Sequence, residues 1–116
     1  MATPSPQSER RRAARALADF PIQLHRQDRK DQALLRDISE IGLACVSPEA
    51  IPELMQVALD FTLPGSTDLH RVRGAVVRCA PLPKTKGRYD LAVYFTEMTP
   101  VTRAALRHYV GKGRPA

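Results

Sequence analysis

The stretch SERRRAAR, residues 8 to 15, sets four arginines into six positions: Arg10, Arg11, Arg12 and Arg15, with Arg11 and Arg15 spaced as Arg-x-x-x-Arg. A guanidinium is a permanent cation whose planar fork fits two phosphate oxygens or the O6 and N7 acceptors of guanine, and whose flat face stacks on a base. Some twenty residues later stands DISEIG, residues 37 to 42. Asp37 and Ser39, two apart at the end of a strand pattern, are expected to share a face, and Gly42 permits a tight turn after them. A carboxylate accepts from the N1 and N2 donors of guanine, and a hydroxyl supports that contact or reaches a phosphate. Each stretch also has a plainer reading. The arginines fit a solvated basic tail, and Asp-x-Ser before glycine fits an ordinary side-chain-bonded turn. Neither stretch alone names a partner.

Other chemistry finds little support. His25, His70 and His108 lack metal-type spacing and have no cysteine nearby, which favours solvated or hydrogen-bonded histidines. Neither a Gly-x-Ser-x-Gly elbow nor a glycine-rich phosphate loop is present, so no enzyme, metal or cofactor is expected. The two cysteines, Cys45 and Cys79, sit among apolar residues and read as buried free thiols, as in a reducing cytoplasm. No segment reaches the roughly 20 apolar residues that span a bilayer, and no apolar run follows the N-terminal charges, so neither membrane insertion nor export is expected.

The elements that must position these residues follow from the hydropathy pattern. Strand periodicity begins at Phe20, Ile22 and Leu24, recurs over 32–38 and 43–47, and alternates most cleanly in Val57, Leu59, Phe61 and Leu63. A long strand follows over about 69–80, its mid-strand Gly74 predicting a bulge, and the last strand carries Tyr89, Leu91, Val93 and Phe95. Residues 48–55 and the basic segment 81–88 read as loops. Thr99 caps a helix opening at Pro100, with Val101, Ala105, Leu106, Tyr109 and Val110 as its apolar stripe and Gly111 as its end. Six short strands and one terminal helix predict a mostly all-β chain, a small six-stranded antiparallel barrel with a C-terminal α-helix. With 116 residues, one domain is expected: a tail over 1–8, an arginine arm over 9–16, the barrel over 17–98, the helix over 99–110 and a second tail over 111–116.

The net charge of +6 is uneven: residues 1–30 carry +4, residues 31–65 carry −5, and residues 66–116 carry +7. Basic ends call for an anionic partner or serve solubility, without choosing between nucleotide, nucleic acid and lipid headgroup. A barrel binding single-stranded nucleic acid is one alternative, but it needs exposed stacking aromatics. The chain has three Phe, three Tyr and no Trp, with Phe20, Phe61 and Phe95 on apolar faces, which counts against it.

Taken together, Arg-x-x-x-Arg at 11–15, Pro21, Asp-x-Ser-x-x-Gly at 37–42, the strand with Gly74 and the closing TEMTPVTRAALRHYV segment resemble the PilZ domain over roughly residues 9 to 110. The resemblance implies a six-stranded antiparallel PilZ-type barrel and a noncatalytic receptor for the bacterial second messenger cyclic di-GMP. It assigns Arg11 and Arg15 to phosphate and guanine, Asp37 and Ser39 to the base, and Gly42 to the turn. Arg10 precedes the motif, where an arginine goes with a stacked, intercalated ligand dimer, and Arg12 assists. Ala92 stands where many relatives have glycine, and Arg78 at a strand position that is often aromatic. The expectation is a stand-alone cytoplasmic receptor. Its arm is loose by composition, folds over the Asp37 face on binding, and is read by a motility, pilus or exopolysaccharide component. A PilZ-like adaptor that works by protein contact without ligand is the other reading within the resemblance.

Overall fold

The computed structural model describes residues 15–112, so Arg10, Arg11 and Arg12 lie outside the described residues. The elements are β1 (Ala16–Leu17), β2 (Pro21–Arg26), β3 (Arg29–Ile38), β4 (Gly42–Ser47), β5 (Gln56–Thr62), β6 (Leu69–Pro81), β7 (Tyr89–Glu97) and α1 (Pro100–Lys112). All pairings are antiparallel and run β3-β2-β5-β6-β7-β4, and a further β4 to β3 pairing closes six strands into a barrel. The two-residue β1 lies against β3, with Ala16 opposite Ile38 and Leu17 opposite Asp37. The β3–β4 pairing joins the two edge strands that an open six-stranded sheet would leave exposed.

Period-two alternation turns Ile22, Leu24, Leu35, Leu43, Cys45, Leu59, Val72, Val76, Leu91 and Val93 inward, and all are essentially buried. Ile51 joins them from the loop after β4 at 1% exposure, a core residue that no periodicity marks. Cys45 is fully buried, and burial pushes its thiol up to about 12, which leaves it unreactive near neutral pH. Cys79 is also free but only half-buried, so one of the two expected buried thiols is confirmed as such.

Three boundaries differ from the expectations. β3 starts at Arg29, ahead of the strand pattern over 32–38, because Gln27, with φ of 51°, makes a tight hairpin tip after β2. Ala16 is 1% exposed and strand-paired, so the base of the expected arm is built into the barrel. The helix runs through Gly111 to Lys112, and its buried face is Thr102, Leu106 and Val110; Val101 is 73% exposed and faces away. Thr99 does cap it, its Oγ1 accepting from the Thr102 amide at 3.2 Å. The helix meets the barrel through a buried polar contact, His70 Nδ1 to Thr102 Oγ1 at 2.8 Å.

Gly74 sits at an expected irregularity: register shifts between Arg73 and Gly74, with Thr96 the extra residue on β7. A Cβ at Gly74 would lie 2.5 Å from the Tyr94 carbonyl oxygen. A Cβ at Gly42 would collide with the Val93 carbonyl oxygen, so β4 and β7 approach too closely there for any side chain. Gly42→Ala is therefore expected to lower stability by about 2–4 kcal/mol, the range of severe backbone clashes. Gly111→Ala, with nothing within 4 Å of the added carbon, should instead gain up to about 1 kcal/mol from helix propensity. Thermal unfolding of the two variants reads both signs.

Candidate functional site

In β3 both Leu35 and Ile38 point into the core, although they are three positions apart where strict alternation needs an offset of two or four. The difference is absorbed by a β-bulge. Leu35 pairs with Cys45 and Asp37 with Ala44, leaving Arg36 as the extra residue. The bulge turns two successive side chains outward and so delivers Asp37 to the outer face. The same device recurs on β6, where Val76 pairs with Val93 and Arg78 with Ala92, leaving Val77 extra and both Val77 and Arg78 outside. Register then aligns Leu17, Asp37, Ala44, Ala92 and Arg78 in one row across β1, β3, β4, β7 and β6. Its middle is two methyl groups, so the row is a shallow shelf with a carboxylate toward one end and a guanidinium at the other.

Arg15 enters this face immediately before β1. Its Nη1 donates to Asp37 Oδ1, with the side chains 31% and 27% exposed. The two expected site residues from separate stretches thus meet. At that exposure the pair contributes about 0–1 kcal/mol, so a ligand displaces it at little cost. Arg78 turns along the shelf to Asp90 Oδ2, and Arg36 reaches Asp90 Oδ1 at 3.3 Å.

Ser39 does not share the open face with Asp37. It is fully buried in the turn after β3, its Oγ donating to Gly42 O at 3.2 Å and accepting from the amides of Ile41 at 3.2 Å and Gly42 at 3.3 Å. A backbone bond, Ser39 N to Gly42 O at 2.9 Å, closes the same turn. The hydroxyl holds the segment between Asp37 and Gly42 in shape, as the turn reading of this stretch had it. Gly42 has no positive φ; close packing against β7, rather than turn conformation, demands glycine there.

Sequence reasoning passed over Tyr94. It lies on the outer face of β7 between Gly42 and Ala75, two residues from Ala92, and is 53% exposed. Its signal was present: it falls on the polar side of an otherwise apolar alternation. On another wall, Arg71 grips Asp60 through two bonds of 2.5 and 2.7 Å, and His25 Nε2 lies 2.9 Å from Asp60 Oδ2. The Arg71 guanidinium, followed by His25, holds the Asp60 carboxyl below the usual carboxylate range despite its burial. That cluster satisfies itself and ties β2, β5 and β6 together. Among the described residues, no group of three or more His, Cys, Asp or Glu side chains is placed to hold a metal. No helix among them is long and apolar enough to cross a membrane.

The family model for the PilZ domain matches residues 9–112. Similar solved structures include the Bacillus subtilis inhibitor of motility, MotI/DgrA, at 19% identity and a TM-score of 0.76, covering 86% of this chain. They also include the PilZ domain with c-di-GMP of YcgR from Escherichia coli, at 17% identity and a TM-score of 0.69, covering 90% of this chain and 91% of that one. YcgR in complex with c-di-GMP aligns at 16% identity and a TM-score of 0.67 over 89% of this chain. The chain spans about half the length of MotI/DgrA and of that longer YcgR chain, 49% and 45%. At these identities the likeness establishes the fold. No curated protein matches the chain.

The geometry separates the motif residues by role. Ser39→Ala strands buried turn groups and is expected to cost about 1–3 kcal/mol, lowering Tm by roughly 4–8 °C per kcal/mol in a domain of this size. Arg15→Ala, removing a part-exposed pair, is expected to shift Tm by no more than a few degrees. Calorimetric or dichroic melts of both variants give the comparison.

Proposed function

The chain belongs to the PilZ domain family, and we propose that within it this protein is a noncatalytic receptor for cyclic di-GMP. The observation that carries the reading is the meeting of Arg15 and Asp37 at the end of the alanine shelf. A cyclic dinucleotide offers anionic phosphodiesters and guanines with adjacent N1 and N2 donors. Arg15 and Asp37 present the complementary cation and acceptor side by side, on a face whose small residues admit a flat ring. The two similar YcgR structures are of complexes with this same ligand, which supports the choice.

In this mechanism the ligand replaces a weak internal ion pair with two stronger charge-assisted contacts. Asp37 accepts from the guanine edge, and Arg15 passes to a phosphate, where charge-assisted bonds are worth about 1.5–3 kcal/mol each. Ser39 acts by fixing the turn that aims Asp37, and Gly42 by letting β4 lie close against β7. Arg11 and Arg12 are proposed to close over the ligand from the other side, and Arg10 to admit a second, intercalated ligand molecule. Because β1 anchors the chain at Ala16, the ligand draws the preceding residues toward the shelf. The altered surface is the signal, read by a protein of motility, pilus or exopolysaccharide machinery.

Titration calorimetry with cyclic di-GMP is expected to show saturable binding. Arg15→Ala and Asp37→Ala should each weaken it roughly 10- to 100-fold, the loss of one charge-assisted bond. A wild-type protein giving no heat at high ligand would overturn the receptor reading. The stoichiometry addresses Arg10 separately: two ligands per chain are expected, falling to one in Arg10→Ala, whereas a one-to-one complex unchanged by that substitution rejects the dimer.

A further inference from the structure

Tyr94 is the exposed aromatic of the outer face, 53% accessible in the middle of a barrel strand. Its cross-strand neighbours in register are Gly42 on β4 and Ala75 on β6, which offer no side chain and one methyl to cover the ring. Ala92, in the row that holds Asp37, lies two residues away along β7, about 7 Å by strand geometry. On the side toward α1, a cavity of about 140 Å³ adjoins Tyr94, lined also by Glu40, Ile41, Glu97 and Arg103. Glu40 is held by Arg107, with contacts of 3.1 and 3.2 Å, while Glu97 and Arg103 are exposed at the cavity mouth.

An open aromatic face, a carboxylate and a guanidinium around a small polar cavity form a set that suits a purine nucleotide. The ring stacks on the base, the carboxylate accepts from guanine N1 and N2, and the guanidinium meets the adjoining phosphate. The His25, Asp60 and Arg71 cluster on the far wall offers no such opening, because its charges are spent on one another.

We propose that Tyr94 is the stacking platform for a guanine of the bound dinucleotide, with Glu97 taking that base's hydrogen-bonding edge and Arg103 its phosphate. The proposal rests on the cyclic di-GMP reading and extends it to a subsite outside both sequence motifs. It makes the ligand straddle the shelf, one part at Arg15 and Asp37 and another beyond Gly42.

The test is cyclic di-GMP titration of the full chain as wild type, Tyr94→Ala, Tyr94→Phe and Glu97→Gln, with Arg15→Ala as the reference for the first subsite. Tyr94→Ala is expected to weaken binding between about 5- and 100-fold, the range for loss of one base-aromatic stack. Tyr94→Phe should restore most of that loss, since the ring and not the hydroxyl does the stacking. Replacing the ligand by cyclic di-IMP, which lacks the N2 amino group, should penalise the wild type more than Glu97→Gln. Wild-type affinity retained in Tyr94→Ala while Arg15→Ala is weakened overturns the subsite and leaves the receptor reading standing. A phenylalanine variant as weak as the alanine one overturns stacking, and equal discrimination against cyclic di-IMP with and without Glu97 overturns its contact with the base. A wild-type protein that binds no cyclic di-GMP removes both readings together.

Discussion

The pairing of β3 with β4, and the single extra residue it accommodates at Arg36, is the constraint on which the site depends. Closure of the barrel needs both strands to contribute inward side chains on either side of the join, and Leu35 and Ile38 do so only because the bulge shifts the alternation by one. With an unbroken strand, either Ile38 or Leu35 would face solvent and a core position would be lost. The carboxylate of Asp37 reaches the outer face as a by-product of keeping two aliphatic residues inside. Core packing and site placement are thus one structural decision, matched on β6 by the bulge at Val77.

The same economy governs the motif residues around it. Gly42 and Ser39 belong to the scaffold: one lets β4 pass close to the Val93 carbonyl, the other saturates the turn from within. Arg15 and Asp37 are the groups left with an open side, and their mutual pairing keeps two opposite charges from standing bare on the shelf. A part-exposed pair of this kind adds little stability. The fold therefore rests on its apolar interior and closed hydrogen-bonded ladder, and the charged groups remain free to change partners.

Much of this was legible beforehand. Six strands, their antiparallel closure and the terminal helix follow from alternation, from turn residues and from the Thr99-Pro100 cap, and the PilZ resemblance matches the family found over residues 9–112. What could not be read depends on contacts distant in sequence. Ala16 and Leu17 are too short a strand to show a period, yet β3 fixes them. Ile51 occupies the core from a segment interrupted by Pro48 and Pro52, where no periodicity exists to mark it. Ser39 was expected beside Asp37 because two-residue spacing on a regular strand implies a shared face, and β3 ends at Ile38. Val101 was assigned to the buried stripe by hydropathy, but at the second position of the helix it extends beyond the barrel wall.

Helix α1 meets the barrel mainly at β1 and β6, through Leu106, Val110 and the bond between Thr102 and His70. One of its two supports is a strand of only two residues, and that strand begins immediately after Arg15. β1 and α1 therefore share one support, and the seat of the helix depends on how β1 is held against β3. The residue that enters the shelf and the strand that seats the helix are adjacent in the chain, so the placement of Arg15 and the seating of α1 are linked through two residues of backbone.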